Sequence, residues 1–123
     1  MLHPGQFVLG ETLEWVHLPK DLVAFVIGKS TWGRDGLIIA TAIGVHPYWS
    51  GILTLEISNV GEIPIYLYPG LAIAQLFIAS VEAGGSAVPV PSAFQVQTGP
   101  RTRNVEIEDR EIIQSFRQRL AQE

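Results

Sequence analysis

The chain has 123 residues, 47% hydrophobic and 16% charged, with 12 acidic against 8 basic side chains and a net charge of −4. That composition fits one soluble domain with one core and is too apolar and too weakly charged for disorder. With no cysteine, disulfides and thiolate metal sites are excluded; with no apolar run of roughly 18 residues and no basic-then-apolar start, neither a membrane span nor a secretory signal is expected, and a cytoplasmic setting is the expectation.

Glycine and proline punctuate the chain at Pro4-Gly5, Pro19, 33–36, Pro47, 61–64, Pro69-Gly70 and Gly84-Gly85. Between them lie short segments rich in β-branched and aromatic residues, the mark of strands separated by turns. The first covers 7–9 and continues with partial alternation through 13–16. A nearly continuous apolar run at 22–27 follows, then 37–40, 52–58, 65–68 and 71–80. Only the last is long enough for a globular helix, and the spacing of Ile73, Leu76 and Phe77 leaves helix and strand both open. Regular short strands predict a mainly β fold, a barrel or sandwich. No internal repeat is present.

The chain then changes character. Residues 83–107, rich in Gly, Pro, Ser, Thr and Gln, read as an extended arm. In 108–121, Glu108 and Asp109 precede Ile112, Ile113, Phe116 and Leu120, an apolar stripe on a short C-terminal helix of about three turns. Such a helix is marginal alone and is expected to pack on the barrel or on another subunit. The domain reading is therefore a core at 1–82, an arm and a terminal helix.

The first hundred residues hold only Lys20, Lys29 and Arg34 as cations, and the five later arginines are interleaved with Glu106, Glu108, Asp109, Glu111 and Glu123. No face supplies the many phosphate contacts a nucleic acid requires, although a small anion could be held locally.

Gly28-Lys29-Ser30-Thr31 invites a phosphate-loop reading, which fails because Val23 stands where that motif needs glycine. The following residues, through Gly36, do not read as a helix opening. What survives is a turn with hydroxyls, backbone N–H groups and two cations, either an anion cradle or an ordinary solvated turn. In 53–58, alternation puts Leu53, Leu55 and Ile57 on one face and Thr54, Glu56 and Ser58 on the other. Glu56 is then a solvated strand carboxylate, or a general acid/base if its face lines a pocket. His3, His17 and His46 have no zinc-ligand spacing, and no serine-nucleophile elbow is present. The aromatics at 48–49 are read as turn packing or as a base-stacking surface.

Together, several segments resemble the dCTP deaminase branch of the dUTPase-like superfamily. Pro4-Gly5-Gln6-Phe7-Val8-Leu9 resembles the family's Pro-Gly-x-Phe-x-Leu strand. Gly28-Lys29-Ser30-Thr31-Trp32-Gly33-Arg34-Asp35-Gly36-Leu37 resembles its Gly-Arg-Ser-Ser-x-x-Arg-x-Gly-Leu signature. Thr41-Ala42, Pro47-Tyr48-Trp49-Ser50-Gly51 and Leu55-Glu56 match the next block, and Pro69-Gly70-Leu71-Ala72-Ile73-Ala74-Gln75-Leu76 matches Pro-Gly-x-x-Ile-x-Gln-Leu. The resemblance covers roughly 2–82 and, more weakly, 93–103.

The resemblance implies a distorted, jelly-roll-like β-barrel that assembles as a homotrimer with sites between subunits. It also implies hydrolytic deamination of dCTP to dUTP and ammonia without a protein-bound metal. Glu56 would be the proton shuttle, Ser30 and Arg34 would orient it and the water, and the Ala42 carbonyl would fix that water. Lys29, Thr31, Gln75 and Gln97 would contact the triphosphate, with Ser30 also in reach of it. Residues 43–46, Val45 and His46 among them, would line base and sugar. No tightly bound cofactor is expected, and Mg2+ would arrive on the phosphates of a deoxynucleoside triphosphate such as dCTP, dUTP or dTTP.

The chain departs from the pattern at specific places. Lys29 replaces an arginine and loses its bidentate fork, His46 replaces an aspartate, and Gly44 an arginine. Phe94 and Ala93 replace a tyrosine and a lysine in the arm. The match also begins part-way into the family pattern, so a sheet edge is expected to be unpaired or covered by the arm. The alternatives are a non-catalytic trimeric nucleotide-binding or structural homologue, and a dUTP diphosphatase, which the His46 replacement disfavours.

Overall fold

The computed structural model describes residues 1–42 and 44–82, together with 96, 98 and 99. In chain order the elements are β1 (Phe7–Glu11), β2 (Val16–His17), β3 (Leu22–Gly28), α1 (Ser30–Arg34), β4 (Leu37–Ile39), β5 (Gly44–Val45), β6 (Ser50–Gly51), β7 (Thr54–Asn59) and β8 (Ala74–Ser80). The strands form three antiparallel sheets, ordered β1-β7-β4, β2-β6 and β5-β3-β8. This is the mainly β architecture the punctuated sequence predicts. The arm, Gln97 within it and the helix expected over 108–121 lie outside the described residues, apart from the three positions noted.

One core joins the two larger sheets. Leu55 and Ile57 of β7 and Leu37 of β4 pack in the same cluster as Ala24 and Val26 of β3 and Val45 of β5, with Leu2, Leu18, Leu53 and Ile65 closing its ends. The buried-and-exposed alternation expected along 53–58 is realised: Leu53, Leu55 and Ile57 are buried, while Thr54, Glu56 and Ser58 are half-buried on the other face. The sheets approach so closely that a Cβ on Gly28 would touch the Ile39 side chain at 3.4 Å.

Three expectations change. The segment after Lys29 is not a plain turn but the single helical turn α1, whose N-cap residue Lys29 makes no side-chain capping bond. Local hydrogen bonds account for it: the Trp32 and Gly33 N–H groups both donate to the Lys29 carbonyl at 3.1 Å. Residues 65–68 form no strand and contribute only an antiparallel bridge between Leu2 and Ile65. The first strand does not run on through 13–16; it stops at Glu11, and pairing resumes only at Val16. The ambiguous 71–80 run resolves as strand from Ala74, paired along its whole length with β3.

Asn59 locks the chain end to the core. Fully buried, it donates through Nδ2 to the Leu2 carbonyl at 3.0 Å and the Ile63 carbonyl at 2.9 Å, and accepts from Gly61 N–H at 2.9 Å. A buried amide with that many partners costs little, whereas one without them is expensive. Beside it Gly36 adopts φ +90°, and a Cβ there would lie 2.5 Å from the Gly61 backbone. Only glycine fits both the conformation and the contact.

Candidate active site

Glu56 sits on β7, the central strand of its sheet, opposite Leu9 of β1. Its backbone is held on the β4 side as well. Ala40 N–H donates to the Glu56 carbonyl at 2.7 Å, and Glu56 N–H donates to the Thr41 hydroxyl at 2.7 Å. That hydroxyl in turn donates to the Thr54 carbonyl at 3.4 Å. Thr41 therefore replaces a missing strand residue where β4 peels away from β7, using one group as donor and acceptor. The half-buried Glu56 side chain is thus borne by a backbone with little freedom to shift.

Thr41 is the residue that reasoning from sequence passed over as a site residue. The signal was available: a hydroxyl side chain directly before Ala42, where an apolar strand ends.

The cation-and-hydroxyl group is placed by α1. Lys29 is half-buried, and its N–H donates to the Ile73 carbonyl at 3.0 Å, tying the start of α1 to the chain entering β8. Gln75, two residues further along, pairs in register with Ile27, two residues before Lys29. The fold thereby brings Lys29 and Gln75 to one end of the β3–β8 pair, although 46 sequence positions separate them. Ser30, Thr31 and Arg34 are exposed on the helical turn, and Arg34 falls in its last residue. There its charge complements the partial negative charge of the helix end, an effect kept small by the single turn.

Ala42 is exposed beyond Thr41. Val45 is a core residue, 5% exposed and paired with Ala24, so its side chain supports the turn that follows. His46 is exposed, and its carbonyl accepts from Trp49 N–H at 3.2 Å, closing a turn in which Tyr48 takes φ 64°. Ile43 and Gln97 lie outside the described residues. Within the single chain, no ion pair joins Arg34 to Glu56 among the described residues, and no cluster of three His, Asp or Glu side chains there is placed to hold a metal ion. None of the described helices is long and apolar enough to cross a membrane.

A separate cavity of about 430 Å³ lies between residues 10–14 and 67–74. Leu55 and Ile57 form part of its wall, which places it on the face of β7 opposite Glu56.

Comparisons with known proteins bear on the family and the fold. A family model described as dCTP deaminase-like matches residues 1–81. A relative from Mycobacterium avium (strain 104), named dCTP deaminase, dUMP-forming, is 46% identical over 105 residues, covering 81% of this chain and 55% of its own. A protein of the same name from Parafrankia sp. (strain EAN1pec) is 49% identical over 106 residues, covering 81% and 52%. The chain thus spans about half the length of these relatives. Among solved structures, the native EIAV dUTPase superposes with a TM-score of 0.57 at 25% identity, covering 75% of each chain. The fold is dUTPase-like, and the relatives' names specify dUMP where the sequence reading anticipated dUTP. On the family match and the relatives' identity, this chain belongs to the dCTP deaminase-like family.

Proposed function

We propose that the chain binds a pyrimidine deoxynucleoside triphosphate and hydrolytically deaminates dCTP, with Glu56 moving the protons. The observation that carries this reading is the placement of Glu56: a half-buried carboxylate on a central strand, its backbone pinned by Ala40 and Thr41. The cavity in the single chain lies on the opposite face of β7, so in this reading neighbouring copies enclose the Glu56 face, where a carboxylate held in place acts as a general acid/base and contributes roughly 10²–10⁴-fold to rate.

In the proposed step, Glu56 takes a proton from water as the oxygen bonds to C4 of cytosine. It passes that proton to N3, giving a tetrahedral centre. The remaining proton of the C4 hydroxyl then goes through Glu56 to the amino group, the C4–N bond breaks as C4=O forms and ammonia leaves, so that dCTP and water yield dUTP and ammonia. Ser30, Arg34 and the Ala42 carbonyl orient water and acid, with the relevant side chains contributed by neighbouring copies in a homotrimer. The exposed outer face of the β3–β8 pair, Phe25, Ile27 and Phe77, supports such assembly because apolar patches of this kind mark contacts between chains. Lys29, Thr31, Gln75 and Gln97 hold the triphosphate, and Mg2+ arrives with it.

The relatives' names support a second step, water attack on the phosphate chain to give dUMP and diphosphate. His46 stands where the family pattern carries an acid that helps activate that water, so dUTP accumulates ahead of dUMP in this reading. Incubation with dCTP and Mg2+, followed by nucleotide chromatography and an ammonia assay, tests both steps. Ammonia release that Glu56→Gln lowers at least a hundredfold is the expected result; unchanged release in that variant refutes the role of Glu56.

The second reading is a nucleotide-binding homologue without turnover, favoured by His46 and Gly44 at ligand-facing positions of the family pattern. Calorimetric heat with dCTP, dUTP or dTTP in the absence of product identifies that outcome. Diphosphate release from dUTP without ammonia from dCTP identifies a dUTP diphosphatase.

A further inference from the structure

Residues 65–68 form no strand, yet the segment is pinned at both ends. Ile65 exchanges two backbone hydrogen bonds with Leu2, at 2.9 and 2.8 Å. At the other end the Tyr68 carbonyl accepts from Leu71 N–H at 3.2 Å, closing a turn through Pro69 and Gly70, the latter at φ +90°. That is the residue order a type II turn requires. Between these anchors Ile65 and Leu67 pack on the core, while Tyr66 and Tyr68 face outward at 59% and 64% exposure. Alternation of this kind puts both tyrosines on one side of an extended segment.

Their rings are nearly parallel, with 11° between the planes and 6.5 Å between the centroids. The spacing follows from the backbone, since two extended residues rise about 6.6 Å. Rings in full face contact would lie about 3.5–4 Å apart, and a planar group held between two of them needs about 7 Å. The pair therefore stands close to the opening of a clamp.

Tyr68 also lines the cavity of about 430 Å³ whose opposite wall is 10–14, a volume in the range of small-ligand sites. Leu55, Ile57, Leu67, Leu71 and Ile73 make much of its lining apolar, and Glu11 and Glu14 are its acidic groups. Among the described residues that line it, none is basic. The Glu14 segment is fixed, because the Thr12 hydroxyl donates to the Glu14 carbonyl at 2.9 Å and accepts from Leu53 N–H at 3.0 Å.

We propose that Tyr66, Tyr68 and the adjoining acidic cavity form a binding site for a small planar organic cation, an aromatic ring bearing an amidinium-type charge. The ring faces of tyrosine attract cations, and Glu11 and Glu14 complement the same charge while opposing an anion. A nucleotide, with its phosphates, is the wrong ligand for this end of the molecule. The cavity lies on the face of β7 opposite Glu56, so the proposal does not rest on the chemistry assigned to that carboxylate.

Benzamidine, benzamide and benzoate share a shape and differ in charge, and the series tests the site in the unsubstituted full-length chain. In titrations followed by NMR of the tyrosine rings, benzamidine is expected to shift the Tyr66 and Tyr68 signals and to bind at least about tenfold more tightly than benzamide, with benzoate weakest. Equal affinity across the series, tighter binding of benzoate, or no shift of either ring by benzamidine up to about 10 mM overturns the proposal. The exposed Tyr66 lies outside the cavity lining, so Tyr66→Ala separates the clamp from the cavity. It is expected to weaken benzamidine roughly fivefold, and Glu14→Gln to weaken it roughly threefold, with no loss for benzamide. Unchanged benzamidine affinity in Tyr66→Ala overturns the clamp, and an equal loss for benzamide and benzamidine in Glu14→Gln overturns the role of charge.

Discussion

Strands β7 and β8 are built from similar residues and have opposite fates. In β7 every second side chain is buried, whereas β8 is half-buried only at Ala74 and exposed from Gln75 to Ser80. The difference lies in position rather than composition. Strand β7 has a partner on each edge and a second sheet against one face, whereas β8, among the described residues, has one partner and extends past the core. A central strand supplies rigidity, and its polar face is where Glu56 is placed. An edge strand with bare apolar faces supplies surface for association.

Substitutions separate these roles, and the largest effect belongs to the frame behind β7. Gly36→Ala forces a left-handed conformation on alanine against the Gly61 backbone, and urea unfolding should show a loss of about 4 kcal/mol, an estimate that combines strain and overpacking. Leu55→Ala, on the buried face of β7, should cost about 3 kcal/mol. Thr41→Val removes the hydroxyl that accepts from Glu56 N–H, and should cost about 1–2 kcal/mol and lower kcat, with Thr41→Ser restoring both. Phe77→Ala, on β8, should change the unfolding free energy of an isolated chain by less than about 1 kcal/mol, while sedimentation shows weaker self-association. A Phe77→Ala loss as large as that of Leu55→Ala would erase the distinction between the two strands.

Much of this was legible beforehand because it is local. The alternation of 53–58 assigned Leu55 and Ile57 inward and Glu56 outward, a consequence of the two-residue period of a strand. The Gly/Pro spacing located most turns. The helical turn at 30–34 was not legible, since Gly33 and the aromatic Trp32 are weak helix formers and its stability comes from bonds to the Lys29 carbonyl. Nor was the fate of 71–80, where a short apolar run fits either period and the partner strand decides. The proximity of Lys29 and Gln75, and the support that Thr41 lends Glu56, are contacts across long sequence separations that no local pattern encodes.

By itself, then, the order of residues determined a mainly β chain, the inward and outward faces of β7, and the motif blocks that carry family membership. Tertiary structure decided which strand became central and which an edge, how the Glu56 backbone is secured and where apolar surface stays open. The physical reason is that side-chain alternation and turn preference act between near neighbours, while strand order, burial and edge exposure are set by pairing between segments distant along the chain.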